Sequence, residues 1–197
     1  SGDAFDCDVN GDGTYDPATE RFYYVTDLNS TTAILLFYTT TSSDGKRSVG
    51  VRPPYDSSGV NYNGPVTAAS VLPTKTAWPK ATLYNNPAQI YNYEGGTTVE
   101  YSGTHTLPKY KYTTAARLLT YSEYLKLPKD IFWEDFGGTN GQYFPNCLWL
   151  NTPYQTSPQV FVIHAPYQLN ISTYPSTPNN SCGVRPVIEV KKEDMLY

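Results

Sequence analysis

Asp8, Asn10, Asp12 and Asp16 place oxygen-bearing side chains at positions 1, 3, 5 and 9 of a loop whose sixth residue is Gly13. That is the spacing of an EF-hand-type calcium loop, in which alternate oxygen side chains converge on a cation and the glycine permits a sharp turn. Position 12, where such loops carry a bidentate Glu, is Thr19, and Glu20 follows one place later. No amphipathic helix precedes the loop. The alternative is a metal-free turn held by Asx hydrogen bonds. If calcium binds, its expected role is structural, tying down an acidic N-terminal arm over residues 1–20.

The rest of the reactive inventory is sparse. His105 and His164 have no Cys or carboxylate at ligand spacing and are expected to be surface or strand-end imidazoles. Glu134 and Asp135 are neighbours whose side chains point apart, so paired acid–base work is not expected. Cys7, Cys147 and Cys182 allow one disulfide with one thiol left over, or three free thiols in a reducing compartment.

Binding chemistry concentrates in residues 151–181. Tyr154, Gln155, Gln159, His164, Tyr167, Gln168, Asn170, Tyr174, Asn179 and Asn180 are polar or amphipathic, and none is needed for a core. Tyrosine offers rigid contact area at low entropic cost. Alternate residues of a strand, together with the flanking loops, would build a shallow ligand-binding face, with Phe161 and Ile163 on the opposite side. The competing reading is a solvated, Pro-rich loop.

These groups need a scaffold. The 197 residues fit one domain over 21–197 behind the arm. Residues 22–28 (FYYVTDL) and 32–40 are β-branched and aromatic runs separated by a turn, which predicts consecutive strands. Residues 48–52, 147–150, 159–164 and 183–190 are further strand candidates, the last with Val184, Pro186, Ile188 and Val190 on one side. Pro186, lacking a donor, belongs at a sheet edge or bulge. Residues 53–112 are broken by Pro and Gly at short intervals and must be held by packing of Trp78, Leu83 and Ile90. The one expected helix starts at Tyr121. Thr120-Tyr121-Ser122-Glu123 is a capping box, Tyr121, Tyr124 and Leu125 share a face, and Pro128 ends the run.

Composition excludes some functions. The net charge is −4 and the largest cationic cluster is Lys191-Lys192, so nucleic acid is not an expected partner. The longest apolar run, residues 33–38, is strand-sized and too short to span a bilayer. A chain with 19 Tyr and only 16% charged residues suggests a secreted or surface-displayed protein. Ser1-Gly2 has the character of a cleavage scar, so an export signal or anchor is expected upstream.

Three segments in order, Ala116 to Tyr124 (ARLLTYSEY), Leu148 to Pro153 (LWLNTP) and Cys182 to Val190 (CGVRPVIEV), resemble the helix entry, Trp-containing core strand and closing strand of C-type-lectin-like domains. The branch resembled includes formylglycine-generating-enzyme-like domains and the variable proteins of diversity-generating retroelements. The opening DVNGDGTYDPATERFYYVTD resembles the start of Firmicute surface proteins that end in such a domain.

The resemblance covers residues 21–191. It implies an α+β fold of twisted antiparallel sheets with few helices and long irregular loops. It also implies that the late strands share a sheet, which favours a Cys147–Cys182 disulfide over the rival Cys7–Cys182. The enzymes of this branch need a redox-active cysteine pair, which has no counterpart here, so the chain is expected not to be an enzyme. Arg117 and Arg185 recur in the resembling segments and are expected as structural ion-pair or carbonyl-clamp residues. What the resemblance implies instead is a rigid display scaffold whose variable interval is residues 151–181. It would act as an adhesin or hypervariable recognition domain for a protein or glycan on another cell or phage. A pilin-like structural or tip subunit in a pilus or surface assembly is the alternative.

Overall fold

Residues 21–37 fold into the hairpin their pattern predicts. Strands β2 (Arg21–Asp27) and β3 (Thr32–Phe37) pair antiparallel, with a register shift between Tyr24 and Thr26. At the turn, Asn29 Oδ1 accepts the Thr31 amide at 2.9 Å. A short strand β1 (Ala4–Asp6) adds to β2, and the closing strand of the chain pairs with β3. The computed structural model describes residues 2–84, 97–100, 103–106, 110–128, 147–154, 158–164, 170–175 and 181–195.

In chain order, the remaining elements are a helical turn α1 (Val66–Ala69), strands β4 (Thr97–Glu100) and β5 (Gly103–Thr106), and a second turn α2 (Tyr121–Tyr124). Strands β6 (Cys147–Pro153), β7 (Gln159–His164), β8 (Asn170–Pro175) and β9 (Val187–Lys191) follow. Three antiparallel sheets result, in the orders β1-β2-β3-β9, β4-β5 and β6-β7-β8. The predicted strands 22–28 and 184–190 therefore share one sheet, joined through β3.

Strand parity sorts the core into three layers. Ile34 and Leu36 of β3 face a cluster that also holds Leu148 and Leu150 of β6, Phe161 and Ile163 of β7, and Tyr124. This layer lies between the two larger sheets. Ala33, Leu35 and Phe37, on the other side of β3, pack with Trp78, Val9 and Ala116. Trp149, Val160 and Val162 form the third layer with Tyr55, Ala68, Leu72 and Tyr112. Strands β3, β6 and β7 are thus covered on both faces, and period-2 alternation distributes their apolar residues to two cores instead of one core and water. The irregular stretch supplies the outer covers. Trp78 is buried in one of them and Leu83 is half-buried, while Ile90 lies outside the described residues.

Several expectations need correction. Residues 48–52 form no strand; the return of the chain is limited to a Thr41–Arg47 bridge. The segment 183–190 is regular only from Val187, and Val184, Val187 and Ile188 point into three different clusters. The capping box is present, with the Thr120 hydroxyl accepting from the Glu123 amide and the Glu123 carboxylate from the Thr120 amide at 2.8 Å. It starts only one helical turn, because Leu125 is 57% exposed and adds nothing to the buried face made by Tyr124. A second turn, α1, had no capping or periodic signal in the sequence.

Candidate functional site

The two ends of residues 151–181 meet beside a disulfide. Cys147 and Cys182 form a disulfide across a Cα–Cα distance of 4.9 Å. Beside it Leu148 bridges Gly183 in parallel, with Gly183 donating its amide to Cys147 O (2.9 Å) and Trp149 donating to Gly183 O (3.0 Å). The segment therefore leaves the core and returns to it at a fixed base. Inside it, β6 and β7 pair antiparallel with a register shift between Trp149 and Pro153, and β8 pairs with β7.

The candidate ligand residues do not form one strand face. Val160, Phe161, Val162 and Ile163 are all buried, on alternating sides of β7, so neither face of that strand is free to meet a partner. Gln159 and His164 sit half-buried at its two ends. Tyr154 is half-buried against Phe161, with ring centroids 5.2 Å apart, and Phe161 stacks in turn on Tyr121 at 4.5 Å. Asn170 and Tyr174 belong to β8, opposite His164 and Val160 respectively. Gln155, Tyr167, Gln168, Asn179 and Asn180 lie outside the described residues. Among the described side chains of the segment, those that are not buried lie at strand ends.

A bracket that sequence reasoning missed holds this hairpin in place. Trp149 Nε1 donates to Pro53 O (2.9 Å), and the Tyr55 hydroxyl donates to Asn151 O (3.1 Å). The Tyr112 hydroxyl donates to Asn151 Oδ1, and Asn61 Nδ2 donates to the carbonyls of both Tyr154 and Gln159. Within the bracket, Asp56 accepts from the Ser58 amide (3.1 Å) and hydroxyl and from Asn63 Nδ2 (3.0 Å), which shapes residues 56–63 into a closed turn. The only signal in the sequence is density of Pro, Gly, Asn and Tyr, which marks a loop but not what it touches.

The acidic loop is a second candidate. Asp8, Asp12 and Glu20 each bring a carboxylate oxygen within 4.8 Å of the others. Gly11 and Gly13 donate their amides to the two oxygens of Asp8 (2.7 and 3.1 Å), and both adopt positive φ (79° and 83°), a conformation glycine takes without a Cβ clash. Glu20, not Thr19, closes the group. It is 2% exposed and accepts the Val9 and Asp16 amides at 3.1 and 3.2 Å. Burial, together with the charges of Asp12 and Asp8, pushes its carboxyl above the usual range despite those hydrogen bonds. Asp16 turns away to accept from Ala18 and Thr19, while Asn10 and Asp12 bond each other. Of the four residues read as ligands, the structure thus brings Asp8 and Asp12 together and adds Glu20. Val9 anchors the loop in the core, and its carbonyl accepts from the Lys80 amide (3.1 Å).

Two buried arginines are structural. Arg117 donates to both oxygens of Glu123 (2.9 and 2.7 Å) and to Glu189 (2.9 Å), all buried, so one guanidinium ties the β9 strand to the capped turn. Burial pushes Glu123 upward, but Arg117 and the Thr120 amide outweigh it and hold the carboxyl below its ordinary value. Arg185 donates to Phe37 O and lies 5.8 Å from the Tyr23 ring centroid. Cys7 is a half-buried free thiol whose pKa burial pushes up to about 12, so it is held protonated. His164 closes β7, and among the described residues no metal-ligating group includes a histidine.

No protein-family model, no curated protein and no solved structure significantly matches this chain.

Proposed function

We propose that this chain is a non-enzymatic extracellular recognition domain with C-type-lectin-like organisation, binding a protein or glycan partner through residues 151–181. The observation that carries the reading is the closed base of that segment. A disulfide, a parallel bridge and two backbone hydrogen bonds clamp its ends, and Trp149 roots it in the core. A segment pinned in this way can change its outer residues without disturbing either sheet. The organisation supports the reading further, since an N-terminal hairpin and the closing strand share one sheet and two smaller sheets are inserted between them in sequence. A buried disulfide accords with an oxidising compartment. The same disulfide argues against thiol catalysis, because it consumes two of three cysteines and the third is held protonated.

A structural calcium ion fits the reading. Asp8, Asp12 and Glu20 would hold it, with the ion supplying charge that offsets three converging carboxylates. The test of the main proposal is binding to immobilised glycan and surface-protein panels by the wild-type chain and by Tyr167→Ser/Tyr174→Ser. Wild-type capture that the double variant loses, at an unchanged thermal midpoint, supports it. Equal capture by both moves the ligand face elsewhere.

A further inference from the structure

We propose that Asn61 is a positioning residue for the ligand face: from outside residues 151–181 it closes the neck of the β6–β7 connection and sets the register in which that loop is presented. This rests on the reading of 151–181 as the ligand-binding segment. The neck consists of Tyr154 and Gln159, where the Tyr154 amide donates to Gln159 O at 2.9 Å. Asn61 Nδ2 donates to Gln159 O at 2.7 Å and to Tyr154 O at 2.9 Å, so a single NH2 group ties together the carbonyls on either side of residues 155–158. Two donors on one short side chain are a property of an amide. Serine has one, aspartate has none, and an aspartate here would set a carboxylate against two carbonyl oxygens.

The burial of Asn61 argues that these bonds are why it is there. It is fully buried, yet its Oδ1 has no hydrogen-bond partner among the described residues. A buried polar atom left unpaired is destabilising, and an apolar residue of the same size would avoid that cost. What leucine could not supply is the double donation to the neck. Asn61 is in turn fixed by its own loop, its carbonyl accepting from the Gly64 amide at 3.3 Å while Asp56 organises residues 56–63. The loop 53–64 therefore determines how the backbone at Tyr154 and Gln159 is held. Changes in that loop should alter recognition without touching a partner.

Backbone hydrogen exchange tests this without any ligand. In Asn61→Leu, which keeps the branched four-heavy-atom outline in a larger side chain and removes the unpaired oxygen together with both donors, the thermal midpoint should fall only modestly. Protection of the Tyr154 amide should nonetheless fall roughly five- to tenfold, the equilibrium weight of about one buried hydrogen bond. Protection of the Val187 amide, which donates to Arg117 O in the other large sheet, should stay unchanged. Asn61→Ala should open the same neck while lowering the midpoint. In the wild-type chain, which carries no folding risk, the Asn61 side-chain NH2 protons should exchange far more slowly than those of exposed Asn10. Wild-type Tyr154 protection in Asn61→Leu, or fast exchange of the Asn61 NH2, would overturn the proposal. Because no partner is involved, that outcome leaves the binding reading intact, and failure of the tyrosine test leaves this result intact.

Discussion

The acidic loop and the β6–β7 hairpin achieve order in opposite ways. In the loop, side-chain bonds span at most 11 residues, as in Glu20 to Val9, Asp8 to Gly11 or Asp12 to Thr14. In the hairpin, the restraining bonds reach across 96 residues from Tyr55 to Asn151 and 98 from Asn61 to Gln159. The loop carries its geometry in its own sequence and needs the rest of the chain only for docking Val9. The hairpin takes its geometry from elsewhere. If recognition resides in residues 151–181, that division of labour is what makes it possible.

The largest expected effect is on the rooted side of the comparison. Trp149→Ala should destabilise the domain by about 3–5 kcal/mol, measured by denaturant unfolding, since it empties a core site and leaves the Pro53 carbonyl only the Cys182 amide as donor. Replacing Cys147 and Cys182 together by Ser should remove about 3–4 kcal/mol in the loop-entropy account, for a separation of 35 residues. A loss well under that would mean that the Leu148–Gly183 bridge and the bracket already hold the base without the covalent link. Thr120→Ala should cost about 1 kcal/mol through loss of the cap. An unchanged midpoint would leave Arg117, not the capping box, as the element that positions Glu123.

How far the sequence foretold each region follows the same division. The calcium-type spacing and the capping box are local and could be read from adjacent residues, although only geometry revealed that Glu20 replaces Thr19. Hairpin β2–β3 and strands β6 and β7 announced themselves as β-branched runs. Their double burial did not, because a run such as QVFVIH looks the same whether one face or two are covered. The resemblance implied the pairing of Cys147 with Cys182 through a sheet shared by the late strands; the disulfide is formed, but β6 and β9 lie in different sheets and the Leu148–Gly183 bridge alone joins the segments beside it. The bracket made by Pro53, Tyr55 and Asn61 could not be read, because its partners lie nearly a hundred residues away and its turn residues signal only irregularity.

The smallest effect is expected in the acidic loop, where it should be local. Millimolar calcium should protect residues 1–20 from proteolysis at neutral pH, and Asp12→Ala should abolish that protection while leaving β9 exchange unchanged. The pH dependence has a definite sign. Glu20 has a raised carboxyl pKa in the folded chain, so without calcium its protonation stabilises the fold as pH falls through that raised value. Calcium needs the ionised form, so its protective effect should shrink over the same interval. Identical digestion in calcium and in chelator would make the loop a metal-free turn.

The central claim is that the outer residues of 151–181 are separable from the scaffold, and a library tests it most directly. Gln155, Tyr167, Gln168, Asn179 and Asn180 would be randomised together, and the fraction of members that retain wild-type protease resistance would be counted. A second library randomising Tyr55, Asn61 and Trp149 serves as the contrast. The account predicts that most members of the first library stay resistant and that nearly all of the second are digested. Comparable loss of resistance in the two libraries would contradict it, because those five residues would then be part of the core and not a face free to vary.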